Sequence, residues 1–138
     1  MKERKIRVVM VAPNDLPIMI WMPVSLQTFR AAVNIGAEEE GDVRARKVDD
    51  NIYALYHRFG CFAGLESNRM VGNRIISGTF YIVAADKDGY PRSLTKKEAQ
   101  KYMSMFWDMP DFDSIDVIRA QIRSFEDEIE KLDEFVDI

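Results

Sequence analysis

Two Asn-Arg pairs, Asn68-Arg69 and Asn73-Arg74, stand on either side of Gly72, and Ser77-Gly78-Thr79 follows closely. Guanidinium, amide and hydroxyl groups at this density, with free backbone donors beside the glycines, are suited to hold an anion or a nucleotide-like ligand. The candidate ligand set is Asn68, Arg69, Arg74, Ser77 and Thr79. The structural alternative is that the asparagines shape turns, Gly78 makes a bulge, and Arg69 and Arg74 pair with a C-terminal acidic helix. Glycine and asparagine in loops commonly serve backbone geometry, so both readings stay open at this level.

Other chemistries are poorly equipped. One cysteine, Cys61, and one histidine, His57, exclude an internal disulfide and a Cys/His zinc set. A nucleophilic triad would need His57, which lies in a strand-like run beside Tyr56 and Arg58 and reads as a packed side chain; Cys61, between Gly60 and Phe62, reads the same way. No phosphate-binding glycine loop with its lysine, no nucleophile elbow and no His-Glu metal motif occurs. Asp86–Lys97 superficially matches a calcium loop, but such a loop needs glycine at its sixth position and glutamate at its twelfth. Those positions hold Pro91 and Lys97. Carboxylates are many, yet no spacing singles out an acid and a base. The expectation is a protein without metal, cofactor or catalytic residues.

A second candidate surface lies at the C-terminal end. Ile115, Ile118, Ile122, Phe125, Ile129, Leu132 and Val136 are spaced alternately three and four apart. That heptad seam favours a narrow helix-on-helix contact, whereas a helix lying on its own sheet more often shows a wider apolar stripe. The candidate protein-binding residues are Ile118, Ile122, Phe125, Ile129 and Leu132. Residues 111–138 carry ten acids against three bases, −7, so within the total of −4 the rest of the chain is +3. Two such helices in parallel would bring Glu128 near Asp133 of the partner, which weakens a parallel homodimer. Whether the helix folds onto its own body, pairs with a second copy or docks elsewhere stays open.

The elements that position these residues follow from periodicity and turn chemistry. Residues 5–13 alternate in β-branched side chains up to Pro13-Asn14-Asp15, and a second strand runs from Ile18 to Met22. After Pro23, Ser25 caps a helix with Leu26, Phe29 and Val33 on one face and Gly36 near its end. Val43–Val48 and Ile52–His57 form a hairpin across Asp49-Asp50-Asn51. Residues 58–73 read as a long irregular loop, and 74–84 as one strong strand with Gly78 as a bulge. Thr95 and Glu98 have capping-box spacing, opening a helix whose apolar face is Ala99, Tyr102, Met103 and Phe106. The expectation is an α+β fold: a β-β-α-β-β-β-α body over 1–110, with an antiparallel or mixed sheet and helices on one face, then a long amphipathic helix over 111–138.

Tyr53, Tyr56, Phe59, Phe62, Phe80 and Tyr81 lie near several arginines, a combination found on nucleic-acid platforms. A body of only +3 lacks the charge of a phosphate-tracking surface, so direct nucleic-acid binding is not expected. No apolar run approaches the ~20 residues of a membrane span, and Met1-Lys2-Glu3-Arg4-Lys5 leads into a strand rather than a signal-peptide core. A cytoplasmic protein is expected.

Gly64-Leu65, Asn68-Arg69, Gly72-Asn73, Ile75 to Phe80, Ser93-Leu94-Thr95 and then Tyr102 and Phe106 form an ordered set over residues 6–106. This stretch resembles a family of small proteins from phages, plasmids and other mobile elements that is described only as a domain of unknown function. The helix from Ser114 onward lies outside the resemblance. The family carries no activity or site residues across. What it implies is context: accessory proteins of mobile elements often bind and block host machinery, including restriction and CRISPR nucleases. The functional expectation is therefore non-catalytic binding of a protein partner, such as a host defence component, with homo-oligomerisation through the C-terminal helix as a further use of the seam. A small-molecule or nucleotide-binding module is the alternative.

Overall fold

In the computed structural model, which describes residues 4–136 and side chains through residue 130, the chain alternates strand pairs with helices. Strands β1 (Lys5–Val11) and β2 (Ile18–Pro23) precede helix α1 (Leu26–Val33), and β3 (Val43–Asp49) and β4 (Ile52–His57) follow. A 3₁₀ turn at Gly60–Phe62 leads to β5 (Ser67–Val71), β6 (Arg74–Ser77), β7 (Phe80–Ala85) and the two-residue β8 (Pro91–Arg92). Helices α2 (Lys96–Met105) and α3 (Ser114–Val136) complete the described chain. The fold is α+β, with the sheet antiparallel throughout.

The main sheet runs β2-β1-β7-β4-β3, with β8 beside β7, so β7 is central and buried on both faces. Phe80, Ile82 and Ala84 point to one side with Val9, Val11, Ala54 and Tyr56, while Tyr81 and Val83 point to the other with Ile6 and Val8. Period-two alternation thus divides each central strand between two cores. Phe29 and Val33 of α1 cover the second face; Leu26, in the first turn of the same helix, is left exposed. Ala99, Tyr102 and Phe106 from α2 and its C-cap, with Val71 and Ile76 from the β5–β6 hairpin, cover the first. Helices therefore occupy both faces rather than the single face expected from the sequence. The reason is that β1, β4 and β7 carry apolar residues on both sides, and each side needs a cover.

The stretch 74–84 is two strands, not one. Gly78 has φ 84°, a conformation open mainly to glycine, and its N–H donates to the Glu66 carbonyl at 2.7 Å. A Cβ there would meet Leu65 Cδ1 at 2.6 Å. At this point the chain leaves the hairpin sheet of β5 and β6 and enters the main sheet as β7. The segment 58–73, read as irregular, holds β5, whose polar Ser67-Asn68-Arg69 shows no apolar alternation because it is buried by hydrogen bonding instead.

Thr95 caps α2 as its spacing predicts: Glu98 N–H donates to Thr95 Oγ1 at 3.1 Å, and Thr95 N–H donates to Glu98 Oε1 at 2.9 Å. Arg92 also grips Glu98 at 2.9 and 3.1 Å, and this pairing is the main cause that draws the Glu98 carboxyl down to about 2. Helix α3 opens on an analogous reciprocal pair. Asp116 N–H donates to Asp113 Oδ1 at 2.9 Å and Asp113 N–H to Asp116 Oδ2 at 3.1 Å.

Candidate functional site

Helix α3 sits on the first face of the body, against β6 and the 3₁₀ turn, with its charged side inward. Ala120 is buried, Val117, Ser124, Asp127 and Glu128 are partly buried, and Ile115, Ile118, Ile122, Phe125 and Ile129 are exposed. Ile122 retains 53% of its accessible surface and Phe125 63%. In heptad terms the seam occupies the two apolar positions, while Ala120 and Asp127 lie on the opposite side of the helix. The candidate binding residues Ile118, Ile122, Phe125 and Ile129 therefore form one outward row; the side chain of Leu132 lies outside the described residues. Phe59, which precedes the 3₁₀ turn, and Phe62, its last residue, are exposed and line a groove with Phe125, extending the apolar strip onto the body.

Four arginines receive the charged side. Register places Arg44 opposite Tyr56 and Arg46 opposite Ala54, so both lie on the first face near the free edge of the sheet. Arg58 follows β4 and Arg74 opens β6. Arg74 holds Asp127 through two bonds, Nε at 3.2 Å and Nη2 at 2.9 Å, and Arg46 and Arg44 approach the same carboxylate at 3.4 and 3.8 Å. Arg58 grips Glu128 with Nε at 2.9 Å and with Nη2 on the second oxygen, and Arg44 adds a contact at 3.1 Å. Burial works against the Asp127 charge, but the hydrogen bonds and charge of Arg74, then the fields of Arg46 and Arg44, outweigh it. The carboxyl stays below its ordinary value of 3.8. Hydrogen bonding to Glu128 raises Arg58 despite its burial, and Asp127 does the same for Arg74.

Asn68, Arg69, Arg74, Ser77 and Thr79 are not drawn together as one open site. Asn68 is buried and donates to the carbonyls of Val11 and Gly78 at 2.8 and 2.9 Å. Arg69, also buried, donates to Phe106 O at 3.0 Å, Asp15 O at 2.8 Å and Asn68 Oδ1 at 2.8 Å. It thereby ties β5 to the β1–β2 turn and to the end of α2, and burial lowers its pKa despite nearby Asp15. These two residues spend their donors on backbone carbonyls that would otherwise be buried unpaired. Arg74 faces α3 instead, Ser77 is buried beside the cavity under that helix, and Thr79 joins β6 to β7. Sequence reasoning did not single out Arg44, Arg46 and Arg58. The signal available was the two-residue spacing of Arg44 and Arg46 in a predicted strand, which puts both on one face.

His57 is a packed histidine: its Nδ1 accepts from Phe59 N–H at 3.0 Å and its Nε2 meets the Glu39 carbonyl at 2.9 Å. A Cβ on Gly41 would lie 2.3 Å from the imidazole, so that glycine is required for the ring to lie where it does. Burial pushes the Cys61 thiol up, against a hydrogen bond with Ser124 of α3. Among the described residues no group of three or more His, Cys, Asp or Glu is arranged to hold a metal ion, and no helix is long and apolar enough to cross a membrane.

The family model described as "Domain of unknown function (DUF3846)" matches residues 6–107. The chain belongs to this family. The matched span ends just after α2, so the family domain contains the sheet, all four arginines, α1 and α2, whereas α3 with Asp127 and Glu128 lies beyond it. No curated protein and no solved structure matches the chain.

Proposed function

We propose that the protein acts by non-catalytic protein binding, with the outward seam of α3 as its contact surface. One observation carries this reading: the helix is held to its body by ion pairs and turns Ile115, Ile118, Ile122, Phe125 and Ile129 to solvent. Aligned apolar side chains on a monomer's surface lose free energy in water that a facing helix would return, on the order of 25 cal/mol per Å² buried.

The occupant that the charges fit is a second copy running antiparallel. With Ile122 packed on Phe125 of the partner helix and Ile118 on Ile129, the exposed flanking residues Arg119 and Glu126 fall opposite each other twice, once on each side of the twofold axis. A parallel copy would not set Arg119 and Glu126 of the two helices opposite each other. The body attaches through Ala120, Ser124 and Asp127, away from the seam, and reaches its edge only where Phe59 and Phe62 flank Phe125, so two bodies lie to the outside of such a pair. A foreign apolar helix would use the same row. A host defence component as that partner, a mobile-element origin and a cytoplasmic setting are further parts of the proposal and rest on the family resemblance and on composition.

Ile122→Asp together with Phe125→Asp tests the reading. Light scattering after size exclusion should show wild type as a dimer and the double variant as a monomer with unchanged circular dichroism. An unchanged mass for the double variant would remove the seam from the function. A wild-type monomer would exclude the second copy and leave the foreign helix.

A further inference from the structure

The ionic contact beneath α3 is unequal. Among the described residues, four guanidiniums, from Arg44, Arg46, Arg58 and Arg74, meet two carboxylates, Asp127 and Glu128. Each guanidinium presents five N–H donors in a planar fork, and two carboxylates offer about eight acceptor positions for all of them. The shortfall is visible in Arg74, whose Nη1 is buried with no hydrogen-bond partner among the described residues. Arg46 turns its Nε to Tyr56 Oη at 3.3 Å. Arg123 of α3 lines the same space, while Glu126 and Glu130 act on Arg74 and Asp42 acts on Arg58 through their charge, so among the described residues the surplus of guanidiniums over carboxylates is confined to the direct contacts. With α3 in place about 40 Å³ of cavity remains among these groups, below the 300 Å³ or so at which small-ligand sites begin.

The arginines come from β3, the end of β4 and β6, so the rigid sheet and hairpin hold them without α3. They lie within the residues that the family model matches, and the acids that cover them lie outside it. We infer that Arg44, Arg46, Arg58 and Arg74 form an anion-binding cradle of the family domain, that α3 occupies it with Asp127 and Glu128, and that its ligand is a phosphoanion with two or more phosphoryl groups. Arginine forks match phosphate oxygens as well as carboxylate oxygens. A chain of phosphoryl groups brings more oxygens and more negative charge than the two carboxylates, which suits four guanidiniums and the unpaired Nη1. Tyr56 and Ser77 line the same space and add hydroxyl groups. The ligand and α3 are then competitors, and the helix is a built-in gate that the ligand must lift. This inference is independent of the seam, because Ile122 and Phe125 point away from the cradle.

The test uses the full chain. Titration calorimetry of Asp127→Asn with Glu128→Gln against tripolyphosphate should show binding at least about tenfold tighter than wild type, a difference of ~1.4 kcal/mol. Adding Arg46→Gln and Arg74→Gln should abolish it. ATP in a parallel titration separates the sources: affinity equal to tripolyphosphate marks the phosphate chain as the ligand, and a higher affinity marks a nucleotide. Should the acid variant not fold, wild type supplies the readout, since saturating tripolyphosphate should raise amide exchange in α3 and leave β7 protected. Equal affinity of the acid variant and wild type, retention of binding without Arg46 and Arg74, or unchanged α3 exchange in wild type would overturn the inference.

Discussion

Helices α2 and α3 pack on the same side of the sheet by opposite means. The α2 segment buries Ala99, Tyr102 and Phe106 in the core, with the Phe106 ring edge-on to Phe80 at 5.2 Å, and keeps its charged residues outside. In α3 the carboxylates of Asp127 and Glu128 go in beside Ala120, and the apolar row stays out. The two modes respond to different conditions. Apolar burial is not weakened by salt screening or by protonation, whereas ion pairs weaken as charges are screened or protonated. The contrast predicts that α2 unfolds with the sheet, while α3 is lifted by changes that leave the sheet intact.

The largest effect that would sharpen this contrast is Phe106→Ala, which should cost the whole body about 3–5 kcal/mol through lost burial and a cavity beside Phe80. Denaturant unfolding followed by sheet and helix signals should shift as one transition. Separate transitions would place α2 outside the cooperative unit.

Arg74→Gln is the matching change at α3 and should be smaller and local. Loss of its paired bonds to partly buried Asp127 weakens docking by about 1–3 kcal/mol. Hydrogen exchange should quicken in α3 while β1, β4 and β7 keep their protection. Equal loss across the sheet would mean that the ionic contact is needed for the fold itself.

Acidification gives the mildest version. The Asp127 carboxyl titrates below 3.8 in the folded protein, so its contribution is complete above that ordinary value and disappears as pH falls through the depressed one. Glu98 follows the same sign over a window from its ordinary 4.5 down to about 2. On lowering pH below 3.8, exchange in α3 should rise before the sheet unfolds, and added salt at neutral pH should move it in the same direction. No response of α3 to either variable would break the comparison.

How much of this was legible in the sequence varied with the range of the interaction. The β3–β4 hairpin, the Thr95–Glu98 cap and the α2 face Ala99, Tyr102 and Phe106 are all visible in spacing, because their partners lie within a few residues. Strand β5 was not, since Asn68 and Arg69 are buried by bonds to Val11, Asp15 and Phe106, far away in the chain. Assigning Asn68 and Arg69 to a ligand set followed from their chemistry; their donors are taken by the backbone. Arg74 was singled out for its guanidinium, but its companions Arg44, Arg46 and Arg58 are joined to it only when β3, β4 and β6 are brought together.

By itself the sequence determined the α+β character, the family, and the existence of an α3 helix with an isoleucine seam, because periodicity and capping act over one or two turns of chain. Tertiary structure alone decided which side of that helix meets the body. Burial would favour the isoleucines, but four arginines from β3, the end of β4 and β6 converge where α3 crosses, and their combined field holds Asp127 and Glu128 instead. Such a field has no signature in local spacing; it exists only once the sheet has formed.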